Sequence, residues 1–468
     1  MPVGDVLPEI AVLVAAVLGV LLASFLAQRH QWMCAALALM GIAVATVLCA
    51  LQLSQAPRLT FSGNWAIDAA SIWARLIILV ASGIAVLCTP AWLREDRRHG
   101  EYYSVLLLSA LGAMVMAAAS DTLQLVTGVL LSSITGYVMA SYHRDWAVSV
   151  EAGMKYFLLG AFATSLLMVG VVLLYGLLGT SSYAAMASVT SSVAHSPLLL
   201  LGLALVIVGI GFKLGAVPAH AWLPDVAQGA PAPAAAFLTV VPKIGAAIAL
   251  VRLLSTFDDA VGWRTLIEAM AIATMTLGNL AALWQKDLRR LLGWSSVAQS
   301  GYVLMAVAVD GLSRSAMPAL LLFLAAYAAA NLAAFAVVTQ LRGRTALDDF
   351  AGLATVRPWA AAVLTLSLLS LAGIPPLAGF AGKLMLFVAT LDAGYTVLAI
   401  AAVLNTVVSL FYYLRVLAPM YFLKPGGTVA QLGGSVRAAV AFSALAVTGI
   451  GLGAGVLLTR IGSATLLP

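Results

Sequence analysis

Four lysines stand inside long apolar stretches of the sequence, where a charged side chain is unfavourable. They are Lys155, Lys213, Lys243 and Lys383. A low-dielectric interior disfavours the charged ammonium, so a buried lysine can release and recover a proton near neutral pH. His220 lies between Lys213 and Lys243 in the sequence, and an imidazole titrates in the same range. A row of such groups joined by water predicts a proton relay.

Some of these groups also have a simpler structural interpretation. Lys155 could extend to the cytoplasmic surface with Glu151 as its i, i+4 partner. His220 could bond to carbonyl groups that a helix break leaves free. Arg75, in another apolar stretch, is expected to pair with Asp68, two turns earlier on the same helix. The other three lysines lie too deep to reach a headgroup easily, which favours a functional role for them.

The composition excludes a soluble enzyme. Charged residues make up 9% of the 468-residue chain, against about 25% in soluble domains. The 24 basic and 18 acidic residues form no continuous basic stripe, so nucleic-acid binding is not expected. Cys34, Cys49 and Cys88 lack metal-ligand or disulfide-framework spacing. We therefore expect no metal and no cofactor in this chain, and any redox centre would belong to a partner.

The apolar stretches predict an all-α polytopic membrane protein. A bilayer core about 30 Å thick needs about 20 apolar residues per helical crossing, and non-alternating runs favour helices over barrel strands. We number the predicted crossings as spans 1 to 14. They lie near residues 8–28, 33–52, 69–90, 103–119, 122–142, 154–178, 197–229, 234–254, 264–284, 294–310, 316–340, 358–391, 396–420 and 437–459.

Two spans are too long for one straight helix and contain prolines. Pro218 in span 7, and Pro375 with Pro376 in span 12, should each divide a helix into two halves, because proline removes an intrahelical hydrogen bond. The two breaks are five spans apart and therefore run in opposite directions, which indicates two inverted five-helix repeats. The predicted divisions are an N-terminal three-helix segment, two repeats that each form a half-channel, and a C-terminal helix, at residues 1–100, 101–255, 256–421 and 422–468.

The basic residues predict the orientation, because cytoplasmic loops retain Lys and Arg. Of nineteen basic residues outside the spans, fourteen follow odd-numbered spans, including Arg97 and Arg98, and five lie on the opposite side. Both termini are then periplasmic. The first apolar stretch lacks the positive region of a signal peptide and is expected to remain as a span.

The segments around the lysines resemble a known family, the antiporter-like membrane subunits of respiratory complex I (NADH-quinone oxidoreductase), which are related to Mrp-type cation/proton antiporters. The resemblance rests on GFKLGAVPAHAWLPDVAQGAPAPAAAFLTVVPKIG, QKDLRRLLGWSSVAQSGYVLMA and LAGIPPLAGFAGKLMLF, and it extends from about Tyr102 to Tyr421. The QGAPAP variant is most similar to the subunit N branch of that family. The family's fourteen-helix layout agrees with the spans predicted above.

The resemblance implies a role for each lysine. Lys213 would be the lysine of the broken seventh helix, Lys243 would bridge toward the second half-channel, and Lys383 would lie in the broken twelfth helix near the exit. Lys155 matches the sixth-helix lysine, and Asp68 resembles the acidic residue that opens the third helix. The chain would then carry protons in a bacterial inner membrane, beside other membrane subunits, including antiporter-like ones. Flavin and iron–sulfur clusters would lie on partner subunits, and quinone would be used elsewhere in the complex.

One position departs from the family pattern. The family places a glutamate in the fifth helix as the charge partner of the seventh-helix lysine, and here Leu130 stands in its place, in GVLLSSITGY. The sequence has no acidic residue between Asp121 and Asp145, so span 5 offers no replacement. Another helix could supply a carboxylate, or a water chain could suffice, or this chain could be a non-pumping scaffold. A subunit of an Mrp-type Na⁺/H⁺ antiporter is the further alternative.

Overall fold

The structure is a computed structural model that describes residues 2–96, 99–425, 433–462, 464 and 466–467. Arg97 and Arg98, which entered the prediction of orientation, lie outside the described residues. The described chain is almost entirely helical. Its α-helices are α1 Leu7–Phe25, α2 Trp32–Gln52, α3 Ala69–Trp92, α4 Gly100–Ala118, α5 Thr122–Ala140, α6 Ala147–Leu178, α7 Tyr183–Val193, α8 Pro197–Leu214, α9 Trp222–Gly229, α10 Ala232–Leu238, α11 Val241–Leu254, α12 Trp263–Leu283, α13 Leu288–Val309, α14 Ala316–Gln340, α15 Leu353–Val356, α16 Pro358–Ala372, α17 Ala378–Asp392, α18 Thr396–Phe422, α19 Ser435–Leu452 and α20 Ala454–Ile461.

The predicted polytopic helical fold is confirmed. Thirteen helical segments of the described chain are long and apolar enough to cross a membrane, and span 12 is divided between α16 and α17. Spans 1 to 6 are α1 to α6, span 7 is α8 with α9, and span 8 is α10 with α11. Spans 9, 10 and 11 are α12, α13 and α14, span 13 is α18, and span 14 is α19 with α20. The short helices α7 and α15 lie in connections where no helix was predicted.

One connection contains a small β-hairpin that the all-α prediction missed. Strands β1, Arg58–Thr60, and β2, Trp65–Ile67, pair antiparallel with Arg58 opposite Ile67. All three residues of β2 are buried, because the strand packs against α3 and α4. The strand leads directly into Asp68, whose side chain caps the first turn of α3 at Ser71 N, 2.7 Å away.

Both predicted helix breaks are present, and they share one construction. In span 7, α8 ends at Gly215, and in span 12, α16 ends at Gly373; both glycines are left-handed, a conformation that glycine adopts without a Cβ clash. A cis proline peptide follows each glycine, before Pro218 and before Pro376. The second half-helix, α9 or α17, then continues the crossing.

A third break interrupts span 8, which was predicted as one straight helix. Helix α10 ends at Leu238 and α11 begins at Val241. Pro242 has no N–H to donate to the carbonyl group of Leu238, four residues earlier, so the ladder is interrupted there. At the same break the carbonyl oxygen of Thr239 accepts a hydrogen bond from the Tyr327 hydroxyl at 2.8 Å. Pro242 was the sequence signal for this break.

Arg75 and Arg252 are both fully buried, and their partners correct the sequence interpretation. Arg75 donates to Glu9 and to Gln52, each at 3.1 Å, so the predicted pairing with Asp68 is wrong. Seven helical residues rise about 10.5 Å, which is too far for that ion pair. Asp68 instead binds Arg252 at 2.6 and 3.1 Å, and neither side chain is exposed. Arg252 lies in the last turn of α11.

The interior of the molecule is formed by α10, α11, α13 and α14, which are almost wholly buried. Helices α1, α2, α6 and α18 surround them and expose many apolar side chains, as expected for helices that face lipid. The half-helix α9 packs on α13 and α6, and α17 packs on α14. The broken spans are therefore held directly against the buried central helices.

Candidate functional site

Lys213 lies in the last turn of α8 and is 1% exposed. Its Nζ atom has no hydrogen-bond partner, and no carboxylate lies within 4 Å of it, among the described residues. The nearest aromatic ring is that of Tyr156, with its centroid 5.9 Å from Nζ. Tyr156 stacks in turn on Phe212 and Trp222. The amine is thus buried beside a cluster of aromatic rings, without a hydrogen-bond partner among the described residues.

Lys243 lies in the first turn of α11, just after the break in span 8. Its Nζ donates to the carbonyl oxygen of Ser296 at 2.6 Å and to the Ser296 hydroxyl at 2.9 Å. The ring of Tyr327 lies 4.7 Å from the amine, and the hydroxyl groups of Ser296 and Tyr327 are 2.6 Å apart. This amine is therefore held by one serine of α13 and one tyrosine of α14.

Lys383 lies in α17 and reaches back across the break in span 12. Its Nζ donates to the carbonyl oxygens of Leu371 and Ala372, at 2.9 and 3.3 Å, which are the last carbonyl groups of α16. The negative end of a helix dipole favours a cation at this place. The ring of Tyr302 lies 4.5 Å from the amine. The broken helix thus creates the binding site for its own lysine.

A polar face of α13 contacts the segments that hold the three lysines. The Ser300 hydroxyl donates to the carbonyl oxygen of Leu214, next to Lys213 in the chain, and to that of Ser296 at 3.0 Å. The Gln299 amide donates at 3.2 Å to Leu371, whose carbonyl also binds Lys383. The sequence interpretation did not single out these residues. Polar residues at i, i+3 and i+4 within an apolar helix were the available signal.

His220 lies between α8 and α9 and is half-buried. Its ring is tilted against that of Trp294, with centroids 5.6 Å apart, and its Nδ1 atom has no hydrogen-bond partner among the described residues. The ring also interacts with the backbone of Pro218 at the break, so a proton-relay histidine and a structural histidine bonded to a carbonyl group both stay predictions. The neighbouring Pro218 is exposed, so this break reaches the surface of the described chain.

Lys155 lies apart from the other lysines, near the start of α6. Its side chain is 45% exposed, and its Nζ lies 2.6 Å from Glu151, as the i, i+4 spacing suggested, and 3.0 Å from Asp225. Asp225, on α9, also binds Arg290 at 2.5 Å. Lys155 thus belongs to a surface ion-pair network that anchors the second half of span 7 to α6 and α13.

Leu130, at the family's glutamate position, is half-buried on α5. The described residues place no carboxylate from another helix within ion-pair distance of Lys213. Of the three interpretations of this departure, a substitute carboxylate is thus the one that the geometry opposes. A water chain and a non-pumping scaffold both remain compatible with the contacts around Lys213.

Comparison with known proteins agrees with this arrangement. Residues 119–409 match the family described as NADH:quinone oxidoreductase/Mrp antiporter, TM. NADH-quinone oxidoreductase subunit N of Mycobacterium sp. (strain JLS) is 44% identical over 412 residues, which are 87% of this chain and 86% of that protein. The chain belongs to the antiporter-like membrane subunits of NADH-quinone oxidoreductase.

Solved structures place this antiporter-like subunit in the same fold. A chain of respiratory complex I from Thermus thermophilus has a TM-score of 0.84 at 30% identity, covering 97% of this chain and 99% of that one. A chain of the Mrp complex from Dietzia sp. DQ12-45-1b has a TM-score of 0.86 at 21% identity, covering 99% and 97%. The second likeness shows the fold alone. The antiporter-like subunit is a multi-span membrane protein of a bacterial respiratory complex.

Proposed function

We propose that this antiporter-like subunit is subunit N of a NADH-quinone oxidoreductase and carries protons through Lys213, Lys243 and Lys383. The observation that carries the proposal is the buried polar face of α13, which bonds Lys243 directly, bonds the carbonyl oxygen of Leu214 beside Lys213, and shares the carbonyl oxygen of Leu371 with Lys383. Lys243 keeps a hydrogen bond to the Ser296 hydroxyl, whereas Lys213, which has no hydrogen-bond partner among the described residues, would need a bridging water molecule for the same proton transfer.

The gap between Lys243 and Lys383 has room for water. A cavity of about 10 Å³ is lined by Tyr327, which contacts Lys243, and by Gln299, Ser370 and Lys383. That volume corresponds to about one water molecule, and four of the lining side chains carry polar groups, as a buried water requires. A single water molecule there would join the two lysines. We therefore assign residues 101–255 and 256–421 to two half-channels that meet at α13.

Coupling to electron transfer would be electrostatic. Adding or removing a proton at one amine changes the free energy of the charged state at the next, because fields act strongly in a low-dielectric interior. A signal from neighbouring membrane subunits that shifts one lysine would then shift the others in turn. Flavin, iron–sulfur clusters and quinone reduction belong to partner subunits in this proposal. The chain lies in the bacterial inner membrane with both termini periplasmic.

The scaffold alternative is favoured by one observation, the lack of any described carboxylate beside Lys213. A lysine without a charge partner holds its proton less firmly, which weakens the first step of a relay. If this subunit only joins two neighbours, the lysines can be removed without effect on proton yield. The Mrp-type antiporter alternative instead predicts a complex without redox centres.

The test measures protons translocated per electron in proteoliposomes that contain the purified complex. Lys243→Ala and Lys383→Ala should each lower this ratio strongly, whereas Lys286→Ala, an exposed loop lysine, should leave it unchanged. An unchanged ratio in both variants, with normal assembly, would support the scaffold alternative. Flavin and iron–sulfur absorbance that co-purify with the chain would support the respiratory complex, and their absence would support the antiporter.

A further inference from the structure

A cavity of about 1110 Å³ lies at one end of the helices, away from the lysines of the proposed relay. It is lined by Arg29, Arg94, Arg342, Trp32 and His99, among others. These residues lie at or just beyond the ends of α1, α3 and α14, and at the start of α2 and α4. All of them belong to the side of the membrane that holds most of the basic residues. The cavity is thus at the level where lipid headgroups meet the protein.

The cavity carries an excess of positive charge that the described residues do not neutralise. Its three arginines face one lining carboxylate, that of Glu95. None of the three forms an ion pair with another described residue. Arg29 and Arg94 are exposed, and the guanidinium of Arg342 lies 5.1 Å from the ring of Trp92. Guanidinium groups bind phosphate oxygens with paired hydrogen bonds.

The surface beside the cavity is apolar and exposed. Phe25, at the end of α1, is 88% exposed, and Trp32, at the start of α2, is 57% exposed. Exposed side chains continue along both helices at Leu21 and Met40. An exposed apolar strip that begins at a basic cavity matches a molecule with an anionic head and hydrocarbon tails. An acidic protein segment would need the charge but not the strip.

We propose that this cavity binds the phosphate headgroup of an anionic phospholipid, with its acyl chains lying along α1 and α2. Arg29, Arg94 and Arg342 bind the phosphate, and Trp32 lies at the headgroup level, where tryptophan is favoured. The lipid would then link the N-terminal helices α1 to α3 to α14. This site is independent of the lysine relay, so either proposal can fail without the other.

The test is native mass spectrometry of the purified complex, exchanged into detergent with phosphatidylglycerol, phosphatidylcholine or inorganic phosphate as the probe. Phosphatidylglycerol should remain bound to the ejected chain, and phosphatidylcholine should not. Each arginine near an anionic lipid changes binding by about fivefold, so Arg94→Gln should lower retention about fivefold. The triple variant, in which Arg29→Gln and Arg342→Gln are added to Arg94→Gln, should lower lipid retention about a hundredfold.

The matched control removes the same charge outside the cavity, with Arg144→Gln, Lys286→Gln and Lys424→Gln, three exposed residues on the same side. It should retain the lipid as the wild type does. Equal loss in the control, or no loss in Arg94→Gln, would overturn the site. Displacement by inorganic phosphate at equal concentration would overturn the lipid as the ligand in favour of free phosphate. If the lipid binds only after the complex has been dissociated, a neighbouring subunit fills the cavity in the intact complex. That result would overturn the proposal.

Discussion

The hydroxyl group of Ser296 should support the charged form of Lys243, and Ser296→Ala tests this directly. In the structure the amine has two hydrogen-bond acceptors, the hydroxyl and the carbonyl oxygen of the same serine, at 2.9 and 2.6 Å. Of these two acceptors the substitution removes only the hydroxyl, together with the contact of that hydroxyl with the Tyr327 hydroxyl at 2.6 Å. Tyr327 keeps its bond to the carbonyl oxygen of Thr239 at 2.8 Å, so the surrounding packing is preserved.

The size of the effect follows from the bond that is lost. A hydrogen bond to a charged group contributes about 1.5 to 3 kcal/mol, and 1.4 kcal/mol corresponds to about tenfold in an equilibrium. The protonated state of Lys243 should therefore become about 10- to 100-fold less populated. If every translocated proton passes through this amine, proton transfer should slow by at least about tenfold.

The assay compares the rate of NADH oxidation by quinone with the rate of proton uptake in proteoliposomes, reported by a pH-sensitive dye. Ser296→Ala should lower protons per electron, and Ser296→Thr, which keeps a hydroxyl group, should retain most of the yield. Ser443→Ala is the matched control, because this buried serine donates only to the carbonyl group of Ala439 in its own helix, at 2.7 Å. A wild-type proton yield in Ser296→Ala would refute the role assigned to the hydroxyl group.

Three further outcomes follow from the buried contacts. Arg252→Met leaves Asp68 buried without its cation, which should cost about 3 to 5 kcal/mol of stability and lower the melting temperature. Adding Asp68→Asn to this variant should restore part of the loss. An unchanged melting temperature in Arg252→Met would contradict the pairing. Burial raises the pKa of Asp310, in the loop after α13, to about 6. The folded protein therefore binds this proton more tightly than the unfolded chain does. The free energy of unfolding should fall as the pH rises from about 4 through 6, by at most about 3 kcal/mol. Asp310→Asn should remove this slope from the melting temperature measured against pH, and a retained slope would place its origin elsewhere. Gly379→Ala places a Cβ atom against a carbonyl oxygen at the break in span 12 and should reduce the abundance of the chain in membranes. Gly449→Ala is the control, because its Cβ atom meets no atom within 4 Å. Equal abundance of the two variants would show that the break tolerates the side chain.

The elements of the fold were predictable because a bilayer imposes a length on them. Each crossing needs about 20 apolar residues, so spans could be counted from hydropathy alone, and Pro218, Pro375 and Pro376 marked two breaks through local chemistry. The break at Thr239 was missed although Pro242 signalled it, because an apolar run conceals a single interruption. The burial of Lys213 and its counterparts also followed from their positions within apolar runs.

The partners of these residues were not predictable in the same way. Arg75 was assigned to Asp68 on its own helix, but it binds Glu9, 66 residues away in the sequence. Asp68 binds Arg252, 184 residues away. Sequence spacing restricts contacts within one helix, but it says nothing of which helix face meets which neighbour.

The sequence by itself therefore determined that this is a polytopic membrane protein with broken helices and amines in its interior, because hydrophobic length and proline geometry are local properties. Only the tertiary structure decided that Ser296 binds Lys243, that Gln299 and Ser300 bond carbonyl groups beside Lys383 and Lys213, and that Lys155 belongs to the surface. Both results depend on how helices pack around α13. Packing is a property of many side chains at once, and a single residue type cannot reveal it.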